Sequence, residues 1–206
     1  MADDWFRNGD WNDGVARRFE EKLRRARRKE QYLRIQACIL ASTHPEVALA
    51  LLDRYFSMSD KFDHAQAHVD RATALKALDR VEDAADAYEA ALAREAEFPN
   101  LKTQAYLELP VLIAVEGLLS RFDRALVVLE QQADRRTFPV DHFMWHAAHA
   151  LIMSSRGERA GAQPHAQSAL EAASKDHSGF RHHPSVGLVT EEHRGLLKDI
   201  AALGAA

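Results

Sequence analysis

The stretch AQAHVDRATALKALDRVEDAADAYEAALAREAEFPN, residues 65–100, decides the fold class. It reads as a helix, a tight turn at Asp79-Arg80 and a second helix. Small side chains (Ala72, Ala84, Ala91) stand where two helices must touch. Larger ones (Leu75, Tyr88, Leu92) complete the i, i+4, i+7 spacing that marks one helix face. A hairpin of this kind cannot bury its apolar side alone, so the pattern should recur.

It does recur. Taking Ala84 as the small residue early in a second helix, equivalents stand at Ala48, Ala125 and Ala162, at intervals of 36, 41 and 37 residues. Leu52, Tyr88, Leu129 and Ala166 follow four residues later, then Tyr55, Ala91, Gln132 and Ala169. Thr43-His44-Pro45, Asp79-Arg80, Ser120-Arg121 and Arg156-Gly157 supply the turns inside the hairpins. Phe98-Pro99 and Phe138-Pro139 close the second and third units, and Asn100 and Asp141 are placed to cap the helices that follow. The expected helix pairs are 29–41 and 45–57, 65–78 and 81–96, 101–119 and 122–135, and 142–155 and 158–173. A further helix over 13–28 precedes them and one over 191–203, capped by Thr190, follows. Pro110 and Pro164 each remove an amide donor inside a helix and should kink it or delay its start. No strand-like alternation of useful length is present, so the chain reads as all-α.

These hairpins resemble the tetratricopeptide repeat (TPR), which stacks into a solenoid. The resemblance covers residues 29–175 and is clearest in the second hairpin, where His68 and Ala72 stand at the positions of the family's large aromatic and glycine. It implies a single TPR-like domain over residues 1–206: an arm and helix over 1–28, four hairpins over 29–175, and a loop and capping helix over 176–206. It also implies a concave groove lined by the first helices, here Leu33, Ala37, Val69, Thr73, Lys76, Pro110, Ala114, Ala147, Leu151 and Ser154. TPR domains that grip a chaperone's terminal carboxylate carry Lys and Asn near the positions of Leu33 and Ala37, which argues against that partner class. The apolar, small lining suits a partner's peptide or helix.

Composition narrows the function further. Of 206 residues, 47% are hydrophobic and 28% charged, and the net charge of −4 gives no general attraction to nucleic acid. The single cysteine, Cys38, excludes an internal disulfide framework, and its apolar surroundings predict a buried thiol. An acidic start, Met1-Ala2-Asp3-Asp4, and the lack of any long apolar run point to cytoplasmic residence without a membrane span. No GxSxG, HExxH or glycine-rich phosphate loop occurs, so the chain reads as non-catalytic and without a cofactor.

Four features stand outside the repeat. His142, His146 and His149 lie at metal-compatible spacing, with Asp141 beside them, although the repeat alignment places them against the neighbouring helix. Residues 177–189, HSGFRHHPSVGLV, form a turn-rich loop that offers Arg181, His182 and His183 to a partner or pins the last helix through Phe180, Val186 and Leu188. Residues 17–29 hold eight basic side chains against two acidic ones, a solvated face or a polyanion site, while acidic residues from Asp79 to Glu97 lie on another helix. Trp5, Phe6 and Trp11 either cover the first helix or anchor a partner. The leading expectation is a protein-binding scaffold or adaptor. The alternatives are an inhibitor or immunity-type protein for one toxin or enzyme and, last, a metal-dependent helical enzyme using the His142–His149 face.

Overall fold

The computed structural model describes residues 4–58 and 63–204. The reading of the amino terminus rests partly on residues 1–3, which lie outside them. The described residues form helices and no strand: α1 (Asp13–Arg25), α2 (Lys29–Leu40), α3 (Pro45–Phe56), α4 (His64–Ala77), α5 (Val81–Glu97), α6 (Ala105–Val115), α7 (Phe122–Gln131), α8 (Pro139–Ser155), α9 (Arg159–Ala173) and α10 (Arg194–Gly204). The helices group into two compact units, residues 1–105 and 106–206.

In the first unit α2 pairs with α3 and α4 with α5, and α4 also packs against both α2 and α3. Leu33, Ala37, Leu40, Ala48, Leu52, Tyr55, Ala67 and Ala74 fill the shared interior. The alanines let the backbones approach closely, so the small positions of the repeat are the helix crossings. The aromatic arm covers α1 and α2: the Trp5 ring lies 5.4 Å from Phe19 and 4.8 Å from Tyr32, and Trp11 lies 5.5 Å from Phe19. Gln36, wholly buried, clamps the arm by accepting from the Asn8 amide (3.0 Å) and donating to the Asn8 carbonyl (2.8 Å).

In the second unit α8 and α9 form the tightest pair, and α10 packs on both. Phe143, Ala147, Ala150, Ala166, Ala169 and Ile200 make their common core, with Leu151, Leu196 and Leu203 against it. The Trp145 indole donates to the Leu129 carbonyl (3.0 Å) and ties α8 to α7.

The turns of three hairpins share one device. Asp79, Gly117 and Gly157 have φ of 57°, 65° and 79°, and the next amide reaches back to Leu75, Ile113 and Met153 respectively. This left-handed closure satisfies carbonyls the helix would leave open. It moves the third turn from the expected Ser120-Arg121 to Gly117, so α6 stops at Val115. α6 also starts later than expected. Thr103, not Asn100, receives the Ala105 amide (3.2 Å), and Thr103 is itself held by the buried Glu95 carboxylate (2.7 Å from its amide, 2.6 Å from its hydroxyl). At α8, Asp141 lies inside the first turn and accepts from the Thr137 and Phe138 amides, both 3.0 Å, while Pro139 opens the helix. Pro110 and Pro164 sit within α6 and α9, which run through them.

Candidate functional site

The expected groove residues separate by burial. Leu33, Ala37, Pro110, Ala114 and Ala147 are buried, so they are core rather than binding wall. Leu151 packs into the α8–α9–α10 core, and Ser154 borders a small cleft of about 180 Å³ beside Leu203. Val69 and Thr73 are half-buried and Lys76 is exposed on α4.

On α2, Arg34 is half-buried and Cys38 exposed, each one position after the expected Leu33 and Ala37. One residue is a 100° rotation on a helix. The face between α2 and α4 is therefore polar. Arg34 bonds Asp63 and Asp70, both at 3.1 Å, and Gln66 donates to Asp70 (3.1 Å). Burial opposes the Arg34 charge, but the two carboxylates outweigh it and raise its pKa. Burial raises the Asp70 pKa, against the pull of Gln66 and Arg34. Cys38 is exposed rather than buried as its neighbours suggested. Although the residue is exposed, its sulfur is partly covered, and that desolvation, with Asp70 beside it, pushes the thiol up to about 11, which makes it a poor nucleophile.

The second unit holds the stronger candidate. A cleft of about 520 Å³ opens between the start of α8, the end of α9 and the loop that follows. Its polar lining is Thr137, His142, His146, Ser168, Glu171, Lys175, His177 and Ser178. Behind it lies a stack of rings. His146 Nδ1 meets His165 Nδ1 at 3.0 Å, His149 stacks on His165 at 4.6 Å and 10°, and Trp145 lies 4.0 Å from His149. The Arg136 guanidinium lies over the Trp145 ring at 4.2 Å.

Burial drives every one of these imidazoles toward the neutral form. His146 falls to about 4, helped by His165 and Arg136, and His149 to about 4, helped by His165 and His146. Burial also lowers His142, aided by Arg136, and lowers His165 against the opposing pull of Glu130. His149 is 4% exposed, neither of its ring nitrogens has a hydrogen-bond partner, and Glu130 stands 3.8 Å away. His142, His146 and His149 thus divide between the cleft and the ring stack. Among the described residues no three His, Cys, Asp or Glu side chains are arranged to hold a metal ion.

The loop contributes its first residues rather than the expected ones. Arg181, His182 and His183 are exposed and away from the cleft lining, whereas His177 and Ser178 border it. The Ser178 hydroxyl donates to the His183 carbonyl (2.7 Å) and accepts from the Phe180 amide (3.1 Å), so it braces the loop. Gly187 anchors the far end: its carbonyl accepts from the Val140 amide (2.8 Å), and Phe180 meets Phe138 at 5.3 Å.

Sequence reasoning missed His165, Ser168 and Lys175. The signal was the hairpin itself. Antiparallel helices pair residues equally distant from their turn, and His149 and His165 each stand eight residues from Gly157. His146 and Ser168 are similarly equidistant, as are His142 and Ala172, which also lines the cleft.

No helix among the described residues is long and apolar enough to cross a membrane. Comparison with family models, with curated proteins and with solved structures finds no match to this chain.

Proposed function

We propose that this chain is a non-catalytic binding protein of TPR type, residing in the cytoplasm, that receives a segment of a partner protein in the α8–α9 cleft. The observation that carries the reading is that cleft: about 520 Å³, within the usual range of roughly 300–1,000 Å³ for ligand sites, on rigidly paired helices. Neutral imidazoles at His142 and His146 offer one donor or acceptor at each free ring nitrogen. Lys175 adds a cation and Glu171 an anion. This mixture suits the alternating donors and acceptors of a peptide. The Arg34 and Cys38 face between α2 and α4, with Val69 and Thr73, extends the same reading to the first unit. The hairpin-plus-next-helix packing in each unit supports the TPR resemblance.

Capture from native lysate, read by quantitative mass spectrometry, tests the reading. The wild type is compared with a His142→Ala/Lys175→Glu/His177→Ala variant whose circular dichroism and melting match it. A protein enriched by the first and lost by the second is the expected result. One stoichiometric enzyme among such proteins specifies an inhibitor. Equal enrichment by both removes the cleft from the function.

A further inference from the structure

The basic run belongs to neither the cleft nor the core. Phe19 and Leu23 commit one face of α1 to the interior. Arg17, Arg18, Arg24 and Arg25 occupy the opposite arc of about 120°, at 100° per residue, and all four are exposed. Arg27 and Arg28 continue the surface through the turn into α2 and are exposed too. No ion pair joins any of these six arginines to a described carboxylate. Of the two acidic residues in the run, Glu20 is taken by Arg54 (2.5 and 3.1 Å), which leaves Glu21 alone on the arginine face. Residues 17–29 carry a net +6, so in a chain of −4 the remainder carries −10.

We propose that this arginine face docks a short acidic segment of a partner protein. Guanidinium forks bind carboxylates in pairs, which favours Arg over Lys for such a surface. Three features select protein over nucleic acid. The patch is short: from Arg17 to Arg25 α1 rises only about 12 Å, enough for two turns of an acidic helix. It exposes no aromatic side chain for base stacking, because Phe19 is buried. The −10 carried elsewhere repels a long polyanion that runs beyond the patch. The apolar side of α1 is occupied, so the helix has nothing to insert into a lipid surface. The inference stands apart from the cleft and survives if the cleft reading fails.

Fluorescence anisotropy of the full chain with a labelled Glu/Asp-rich peptide of about 12 residues tests it, beside a single-stranded and a duplex oligonucleotide of equal charge. The peptide is expected to bind at about 50 mM salt and to weaken at least about tenfold by about 300 mM, since exposed charges are screened. The Arg17→Ala/Arg18→Ala/Arg24→Ala/Arg25→Ala variant should lose at least about tenfold in affinity, while Arg80→Ala/Arg159→Ala, exposed arginines elsewhere, should not. Alanine favours helix, and circular dichroism verifies that α1 persists. Tighter binding of either oligonucleotide than of the peptide, an equal loss in the control variant, or no peptide binding at the lower salt each overturns the proposal.

Discussion

Acidification should destabilise the second unit, with a size set by its ring stack. His146 and His149 have pKa values of about 4 in the fold against an ordinary 6.5. Below 6.5 the unfolded chain therefore binds protons that the folded chain refuses. Stability is full above that value, falls as pH drops through it, and levels only below about 4. Between about pH 7.5 and pH 5 each group withdraws about 2 kcal/mol, so the pair removes about 4 of the 5–15 kcal/mol typical of a domain. The remaining charged groups facing the stack do not reverse the sign: Arg136 opposes protonation, and Glu130, 3.8 Å from His149, favours it without overcoming the burial that lowers His149 and His165. Urea unfolding across this range, followed by Trp145 fluorescence in a chain whose Trp5 and Trp11 are replaced by Phe, measures the slope. In that background His149→Phe keeps an aromatic ring against His165 and Trp145 but removes one titrating group, and should reduce the acid loss by about 2 kcal/mol. Parallel curves for the two chains, or stability that rises on acidification, would refute the reasoning.

Other substitutions probe single contacts. Gly187→Ala places a Cβ onto Cβ and Cγ of Phe138 at a φ of 68°, and should detach the loop, seen as a gain in proteolysis between 177 and 189. Trp145→Phe removes the donor to Leu129 and should cost about 1–3 kcal/mol in urea unfolding, because a buried carbonyl is left unpaired. Arg34→Ala leaves Asp70, 4% exposed, without its cation. A loss of about 3 kcal/mol is expected, and Asp70 should then take up a proton, so the deficit shrinks at lower pH. Asp79→Gly relieves a left-handed non-glycine and should raise the stability of the first unit by about 1 kcal/mol.

Helix starts next to a clear turn signal were the most legible part of the chain, whereas α6 was missed by four residues at each end. α5 starts at Val81 and α9 at Arg159, within one residue of expectation, because Asp79 and Gly157 announce their turns. Rotation about the helix axis was less legible. Leu33 and Ala37 look like groove residues in a repeat alignment, yet Arg34 finds Asp63 and Asp70 only once α4 lies beside α2, and that pairing decides which side faces out. Gln36 looks like a surface residue. It is buried because the Asn8 backbone uses its amide, a partner 28 positions away. The spacing of His142 and His146 announced a shared helix face, but not that α9 would bring His165 and Lys175 alongside. The α10 core explains Ala147: a small apolar residue serves a groove and a helix crossing equally well, and only the position of the last helix separates the two.

Gly157 acts as the fulcrum of the second unit. Because the rungs of the α8–α9 ladder are counted outward from it, a single residue inserted within α9 between Gly157 and His165 would advance that rail by about 1.5 Å and turn it by 100°. His149 would then no longer face His165, and the cleft at the far end would lose its arrangement although none of its own residues had changed. The residue count from a solvent-exposed bend thus sets which side chains meet some twenty ångströms along the same two helices, roughly what fourteen residues of helix span.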